Sequence, residues 1–365
     1  MKTRLVVATV VISALLSLQS LLSVAQRAAR NQAYPPPGKL VDVGGYRLHL
    51  NTTGQGTPTV VLIAGAGDFS LDWSLVQPAI SKFTRVCSYD RAGLAWSDLG
   101  PTPRTMHQDA AELHTLLKHA RLKAPYVLVG HSLGGLIARI FAAQYPQEVA
   151  GLVLVDSTTE NTTLNYQGKL VRVRESAKGR LIPPVQTMAS SPPRPPTADD
   201  HKQAEFNRQV FGSPKIEAPF DKLPLRAQRM RLWALNNPKL SAATDDYFPE
   251  ELQAMYVTRA RTHNPLGNIP LIVLIAGKAE KPSDSSTEEW NRLVKEKREQ
   301  EMELANLSTN SKVIIAEKSG HHIQLDEPQL VVDAIRRVIE SVRGRTLPPA
   351  QTSITPEATV RSFYK

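Results

Sequence analysis

Tyr126-Val127-Leu128-Val129-Gly130-His131-Ser132-Leu133-Gly134-Gly135 runs from an unbroken apolar segment into a serine with glycine two places before it and two places after it. Val127, Leu128 and Val129 make the continuous run that a strand buried on both faces requires, and Leu133 to Tyr145 returns apolar residues at helical spacing. The spacing therefore predicts a strand that turns sharply into a helix at Ser132. So sharp a turn brings neighbouring backbone close, and Gly130 and Gly134 leave room for it. A serine at that corner presents its hydroxyl at the end of a sheet, which makes Ser132 the candidate nucleophile. The plainer alternative is a serine that only shapes a tight turn.

On either side of this stretch the chain alternates short apolar runs with helical periods. Leu40 to Val43 and Tyr46 to Leu50 read as a hairpin through Gly44-Gly45. Thr59 to Ala64 and Phe83 to Tyr89 read as strands, and Thr105 to Leu122 as a helix with Ala110, Leu113, Leu116 and Leu117 on one face. Val149 to Val155 is a further buried strand that ends at Asp156. The alternation then stops: residues 157–268 contain the proline-rich Pro183 to Pro196 and amphipathic pieces such as Pro249 to Arg261, and read as a largely helical cap insertion. It resumes with the strand Leu271 to Ala276, a helix entered through the capping-box pattern Ser286-Thr287-Glu288-Glu289, the strand Lys312 to Ala316, and a helix from Pro328 to about Val342. The expected class is α/β, with a mostly parallel sheet covered by helices on both faces and a core made of residues 39–156 and 269–343. Residues 344–365, with Pro348-Pro349 and Pro356, read as a loose tail.

Lys2 and Arg4, an uncharged and mostly apolar run from Leu5 to Ala25, then Arg27 and Arg30, have the pattern of an export signal or a membrane anchor. Ser23-Val24-Ala25 offers small residues for cleavage, and residues 26–38, with Pro35-Pro36-Pro37, read as a linker. Either reading puts the body of the protein outside the cytoplasm, secreted or held at a membrane by its first segment. The formal net charge of +10 carries no nucleic-acid motif and no basic block interleaved with aromatics, so no nucleic-acid partner is expected. The single cysteine, Cys87, excludes an internal disulfide and thiol-based metal binding, and its place in an apolar run makes it a buried strand residue.

An unassisted serine hydroxyl needs a base that accepts its proton near neutral pH, which means histidine first. Reactive groups of such sheets collect at the carboxyl ends of the strands. Of the nine histidines, His321 follows the strand ending near Ala316, with His322 beside it as the alternative. His131 is assigned to packing, and His107, His114 and His119 to the solvated face of a helix. Two strand-end acids could orient the histidine: Asp156, directly after the buried run Gly151 to Val155, and Glu280 after Leu271 to Ala276, with Asp284 a little beyond. Asp156 is favoured because an acid fixed at a strand end is better preorganised than one in a loop. Asp90 and Asp326 are read as structural. The negative charge that acyl transfer builds on oxygen calls for backbone donors, expected from the N–H groups of Leu133 and Ala66.

Together, Gly130-His131-Ser132-Leu133-Gly134-Gly135, Ser88-Tyr89-Asp90-Arg91-Ala92-Gly93 and Ser319-Gly320-His321-His322-Ile323-Gln324-Leu325-Asp326 make residues 39–342 resemble the α/β-hydrolase superfamily. The resemblance implies an eight-stranded sheet, a Ser-His-acid triad, and an insertion after the sixth strand that caps the pocket. In much of that superfamily the acid follows the seventh strand and in a subset the sixth, so the resemblance leaves both Asp156 and Glu280 in place. Ala64-Gly65 stands where a His-Gly pair is usual. The expected function is a carboxylesterase-like serine hydrolase acting on a small-molecule acyl substrate, chemistry that needs no metal or organic cofactor. The competing expectation is a relative of the same fold that binds, or acts as a lyase or peroxidase-like enzyme. The aromatic residues Phe206, Phe211, Trp233, Tyr247, Phe248 and Tyr256 are expected to pack the core of the cap more than to line a pocket.

Overall fold

The computed structural model describes residues 34–166, 169–173, 191–243, 249–279 and 286–344. Its strands are β1 (Lys39–Asp42), β2 (Arg47–Thr53), β3 (Thr59–Ile63), β4 (Val86–Tyr89), β5 (Tyr126–His131), β6 (Val149–Val155), β7 (Thr163–Tyr166), β8 (Lys169–Arg172), β9 (Leu271–Ala276) and β10 (Ser311–Ala316). Eight of these form one sheet in the order β1-β2-β4-β3-β5-β6-β9-β10. β2 runs antiparallel to both of its neighbours, and every other adjacent pair is parallel. From β3 the chain first crosses to β4 on one side and then to β5 on the other. This reversal opens a crevice at the carboxyl ends of β3 and β5, the place where open α/β sheets bind ligands.

Strand alternation builds the two faces of the core. Val61, Ile63 and Leu128 pack with Leu113, Leu116, Ile137 and Phe141 of the helices Met106–His119 and Leu133–Gln144. Val60, Leu62, Val127 and Val129 point the other way and meet Trp73, Ile80, Val331, Ile335 and Val338. The last three come from the helix Pro328–Val342, whose buried residues recur three and four apart behind an N-terminal proline. Cys87 is buried in β4, and burial pushes its thiol up to about 12, so it is an inert core residue.

Between β6 and β9 the chain leaves the sheet and forms the helices Ala198–Phe211, Leu225–Leu235 and Pro249–Arg261. It also forms an antiparallel ribbon of β7 and β8, which departs from the helical expectation for 157–268. Four-residue strands are too short to give a two-residue period that stands out in a sequence. The aromatics of this segment do not share one fate. Trp233 packs on Trp96 with ring centroids 5.3 Å apart, and Tyr256 packs against the main core. Phe206 and Phe211 depart from the expectation of a place in the cap core: they are 56% and 82% exposed on the Ala198–Phe211 helix, which buries only Ala204. Tyr247 and Phe248, the expected signal or anchor at 1–25, most of the linker and the tail beyond Gly344 lie outside the described residues. Among the described residues no helix is long and apolar enough to cross a membrane.

Candidate active site

β5 ends at His131 and the helix Leu133–Gln144 begins one residue later, so the whole change of direction falls on Ser132. Its backbone adopts φ 51° and ψ −121°, a conformation that costs a non-glycine residue on the order of 1–3 kcal/mol and persists only where surrounding contacts over-determine it. Those contacts are visible. The Ser132 N–H donates to the Val155 carbonyl at 3.1 Å, and the Ser132 carbonyl accepts from the N–H groups of Gly135 and Thr158 at 3.0 and 3.1 Å. A Cβ on Gly130 would stand 2.4 Å from the Gly134 carbonyl oxygen, and one on Gly134 only 2.3 Å from that of Ile63. These close approaches explain the glycines on either side of the serine.

Asp156 lies at the end of β6, itself at φ 39°, with its side chain 1% exposed. Its Oδ1 accepts the Ala276 N–H at 2.9 Å from the neighbouring strand β9. Its Oδ2 lies 2.6 Å from His321 Nδ1 and 2.9 Å from Lys297 Nζ. Burial works against the carboxylate charge, but the His321 hydrogen bond and the Lys297 charge outweigh it and hold the Asp156 pKa far below the usual carboxylate range. Asp156, the acid favoured from the sequence, meets the histidine. Glu280 and Asp284 lie outside the described residues.

The loop carrying His321 is pinned on several sides. Glu327 accepts from the Lys318 N–H and the Ser319 hydroxyl, Asp326 accepts from the Gly320 N–H at 2.8 Å, and His131 Nε2 bonds the His321 carbonyl at 3.0 Å. Asp326 is thus structural, as expected. So is Asp90, which accepts from the Ser70 N–H and pairs with the buried His49. His131 is buried as expected, yet it does more than pack, because it ties the elbow strand to the histidine loop. His322 turns to a different partner: its Nε2 lies 3.3 Å from Asp68 Oδ2. Of the helix histidines, His114 is not solvated but stacks on Tyr145 with centroids 3.7 Å apart, while His107 pairs with Glu251 and His119 meets the Asp42 carbonyl.

Sequence reasoning missed two groups that shape this site. Arg91, buried in the stretch Ser88 to Gly93, donates to the carbonyls of Ala64 at 2.6 Å and Gly65 at 2.7 Å. In a trans peptide the following N–H points opposite to the carbonyl, so the grip on Gly65 turns the Ala66 N–H away from Arg91. Ala66 itself is exposed, and the turn containing it lies against the elbow, since a Cβ on Gly65 would be 3.1 Å from Ser132 Cβ. Leu133 is the first residue of its helix, so its N–H has no intrahelical acceptor. The second group is Glu301, one turn beyond Lys297, with its carboxylate 2.7 Å from Lys297 Nζ. Burial and the nearby Asp156 charge push its pKa up to about 8. Two buried carboxylates thus share one lysine, a spacing readable on the helix only once Asp156 is known to lie beside it. A cleft of about 780 Å³ opens over Asp156 and His321, walled by Phe220, Trp290, Leu293 and Lys297; Ser132, Leu133 and Ala66 do not line it.

With this sheet and this site in view, the chain belongs to the alpha/beta hydrolase family, whose profile matches residues 60–334. Among curated proteins it is 26% identical over 323 residues to a probable transporter, efuK, of Hormonema carpetanum; the match takes in 84% of this chain and only 43% of that protein. Among solved structures it resembles a thermophilic esterase from Thermogutta terrifontis, with a TM-score of 0.55 and 21% identity over 83% of this chain and 98% of that one. It also resembles the epoxide hydrolase CorEH, with a TM-score of 0.56 and 17% identity over 84% of this chain and 99% of that one. Likenesses at this level of identity speak for the shared fold.

Proposed function

We propose that the protein is a serine hydrolase that cleaves carboxylic esters or related acyl bonds of small molecules. The observation that carries this reading is the 2.6 Å contact of Asp156 with His321 Nδ1 at the strand ends beside the elbow serine. In the proposed cycle His321 Nε2 takes the proton of the Ser132 hydroxyl as its oxygen bonds to the substrate carbonyl carbon. His321 then gives that proton to the departing alcohol, leaving an acyl-enzyme. Water repeats the attack, its proton passes through His321 to Ser132, and the carboxylic acid leaves. Asp156 keeps the proton on Nδ1 and stabilises the transient imidazolium. The N–H groups of Leu133 and Ala66 receive the oxyanion.

The likeness to an epoxide hydrolase raises epoxides as substrates, and elementary chemistry argues against them. A serine that opened an epoxide would be left as an ether, which has no carbonyl for water to attack, and the enzyme would stop after one turnover. An acyl-serine does have that carbonyl. Incubation of the folded protein with a fluorophosphonate probe should label Ser132 covalently and abolish ester turnover. Turnover that is equal in wild type and Ser132→Ala would defeat the proposal. The first 25 residues further suggest an extracytoplasmic enzyme, a reading that fractionation of cells expressing the full chain would test.

A further inference from the structure

Around His131 Nδ1, against the elbow serine, lies a second constellation that the proposed hydrolytic cycle leaves unused. Asp68 follows β3 at the end of the Ala64 to Gly67 turn, His131 closes β5, and His322 is the neighbour of the histidine that meets Asp156. Asp68 Oδ2 stands 3.3 Å from His322 Nε2 and 3.5 Å from His131 Nδ1, and one donor atom from each residue lies within 4.8 Å of the others. We propose that Asp68 Oδ2, His131 Nδ1 and His322 Nε2 form a binding site for a zinc-class divalent cation, separate from the Asp156–His321 pair.

The hydrogen bonding of His131 supports this most directly. Its Nε2 faces the His321 carbonyl, which can only accept, so Nε2 carries the proton. With that proton on Nε2, Nδ1 of the neutral ring presents a lone pair. That lone pair is buried, has no hydrogen-bond partner, and faces the carboxylate oxygen of Asp68. Two acceptors turned toward each other repel unless a cation or a proton lies between them. Arg231 binds the other oxygen, Oδ1, at 3.2 Å, which orients the carboxylate and leaves Oδ2 free to point at the histidines.

The spacing fits the same occupant. Zinc at about 2.0–2.2 Å from each of its ligands separates tetrahedral neighbours by about 3.3–3.6 Å, and both measured separations from Oδ2 fall there. Two imidazoles and one carboxylate suit zinc, cobalt or nickel better than magnesium or calcium, which prefer all-oxygen shells. The place is also tight on its protein side. A Cβ on Gly65 would stand 3.0 Å from His131 Nδ1 and 3.2 Å from Asp68 Oδ2, so glycine there keeps the ligands open.

The test is a titration of the tag-free, metal-stripped full chain with Co²⁺, read by the visible absorption of the protein-bound ion and reversed by Zn²⁺. One equivalent should saturate the band, and Zn²⁺ should displace it. His322→Ala and Asp68→Asn should each weaken binding by about tenfold or more, with near-ultraviolet circular dichroism confirming that the variants are folded. Ser132→Ala and Asp156→Asn should keep the band, which separates this site from the hydrolytic proposal. No saturable band in the wild type, or an unchanged band in folded His322→Ala, overturns the inference.

Discussion

Replacing Asp156 with asparagine removes one oxygen's charge from a position that is 1% exposed, and the surrounding donors dictate how the new amide must lie. The Ala276 N–H needs an acceptor and will hold the amide oxygen, so the amide NH₂ is left facing His321 Nδ1. Nδ1 must then accept, the ring proton moves to Nε2, and the nitrogen that should take the serine proton already carries one. The lost charge adds to this. Opposite charges about 4 Å apart at an effective dielectric near 20 are worth about 4 kcal/mol, or about a thousandfold in rate. Lys297, 2.9 Å from the same oxygen, opposes part of that field in the wild type. The expected loss in kcat is therefore about 10³–10⁴-fold, with KM little changed. Steady-state hydrolysis of a chromogenic ester measures it, and urea denaturation gives a second readout. The Asp156 pKa is lowered by folding, so its stabilisation is present in full above the unfolded carboxyl value near 4 and is lost progressively as the pH falls from there through the much lower folded value. Wild type should lose its stability advantage over Asp156→Asn on acidification. Retention of kcat within about tenfold in Asp156→Asn, together with collapse in Glu280→Gln, would refute the assignment of the acid.

Arg91→Met removes two charge-assisted hydrogen bonds to the turn over the elbow and frees the Ala66 N–H to wander; kcat should fall about 10²–10³-fold, with a smaller change in KM, in ester assays on folded variant. Gly134→Ala drives a methyl to 2.3 Å from the Ile63 carbonyl oxygen and should cost at least about 1–3 kcal/mol by chemical denaturation, since backbone on both sides has to move. Glu301 has a folded pKa raised to about 8, so the native state holds a proton there that the unfolded chain releases near 4–5, and its contribution to stability falls as the pH rises between those values. Melting temperatures of Glu301→Gln and wild type should accordingly shift in favour of the glutamine variant from pH 5 to about pH 9; parallel curves would show that Glu301 is already ionised at low pH.

The fold is legible in the sequence where burial imposes a period. β3, β5, β6 and β9 are continuous apolar runs because both of their faces are covered; β3, β6 and β9 end within one residue of their runs, and β5 continues two residues past Val129 to His131. The helix Pro328–Val342 is equally plain, since only one of its faces meets the sheet. β7 and β8 are not, because four residues cannot display a period. In the site, Ser132 and His321 follow from strand ends and glycines, which are local signals. The acid can only be narrowed to two positions, because the choice depends on which carboxylate reaches the histidine loop across the strand ends: Asp156 after β6 meets His321 although β9 is the neighbour of β10, and such reach is not written along the chain. Arg91 and Glu301 escape notice for a related reason: a buried charge has meaning only through a partner distant in sequence.

The charges around Asp156 explain why both of these groups matter. An ionised carboxylate buried between a histidine and a lysine is already balanced, so on its own it would give the imidazolium formed in catalysis less support than an unopposed acid. Glu301 changes that balance. Protonated, it leaves Lys297 free to face Asp156; ionised, it draws on the same ammonium from 2.7 Å and returns field to His321. Arg91 does the complementary work at the other end, fixing the peptide plane of the Ala66 N–H that is proposed to receive the oxyanion. The proposed nucleophile Ser132 lies between these two buried charge systems, and the strain at its backbone is borne by the hydrogen bond it donates to the Val155 carbonyl and those it accepts from the Gly135 and Thr158 N–H groups.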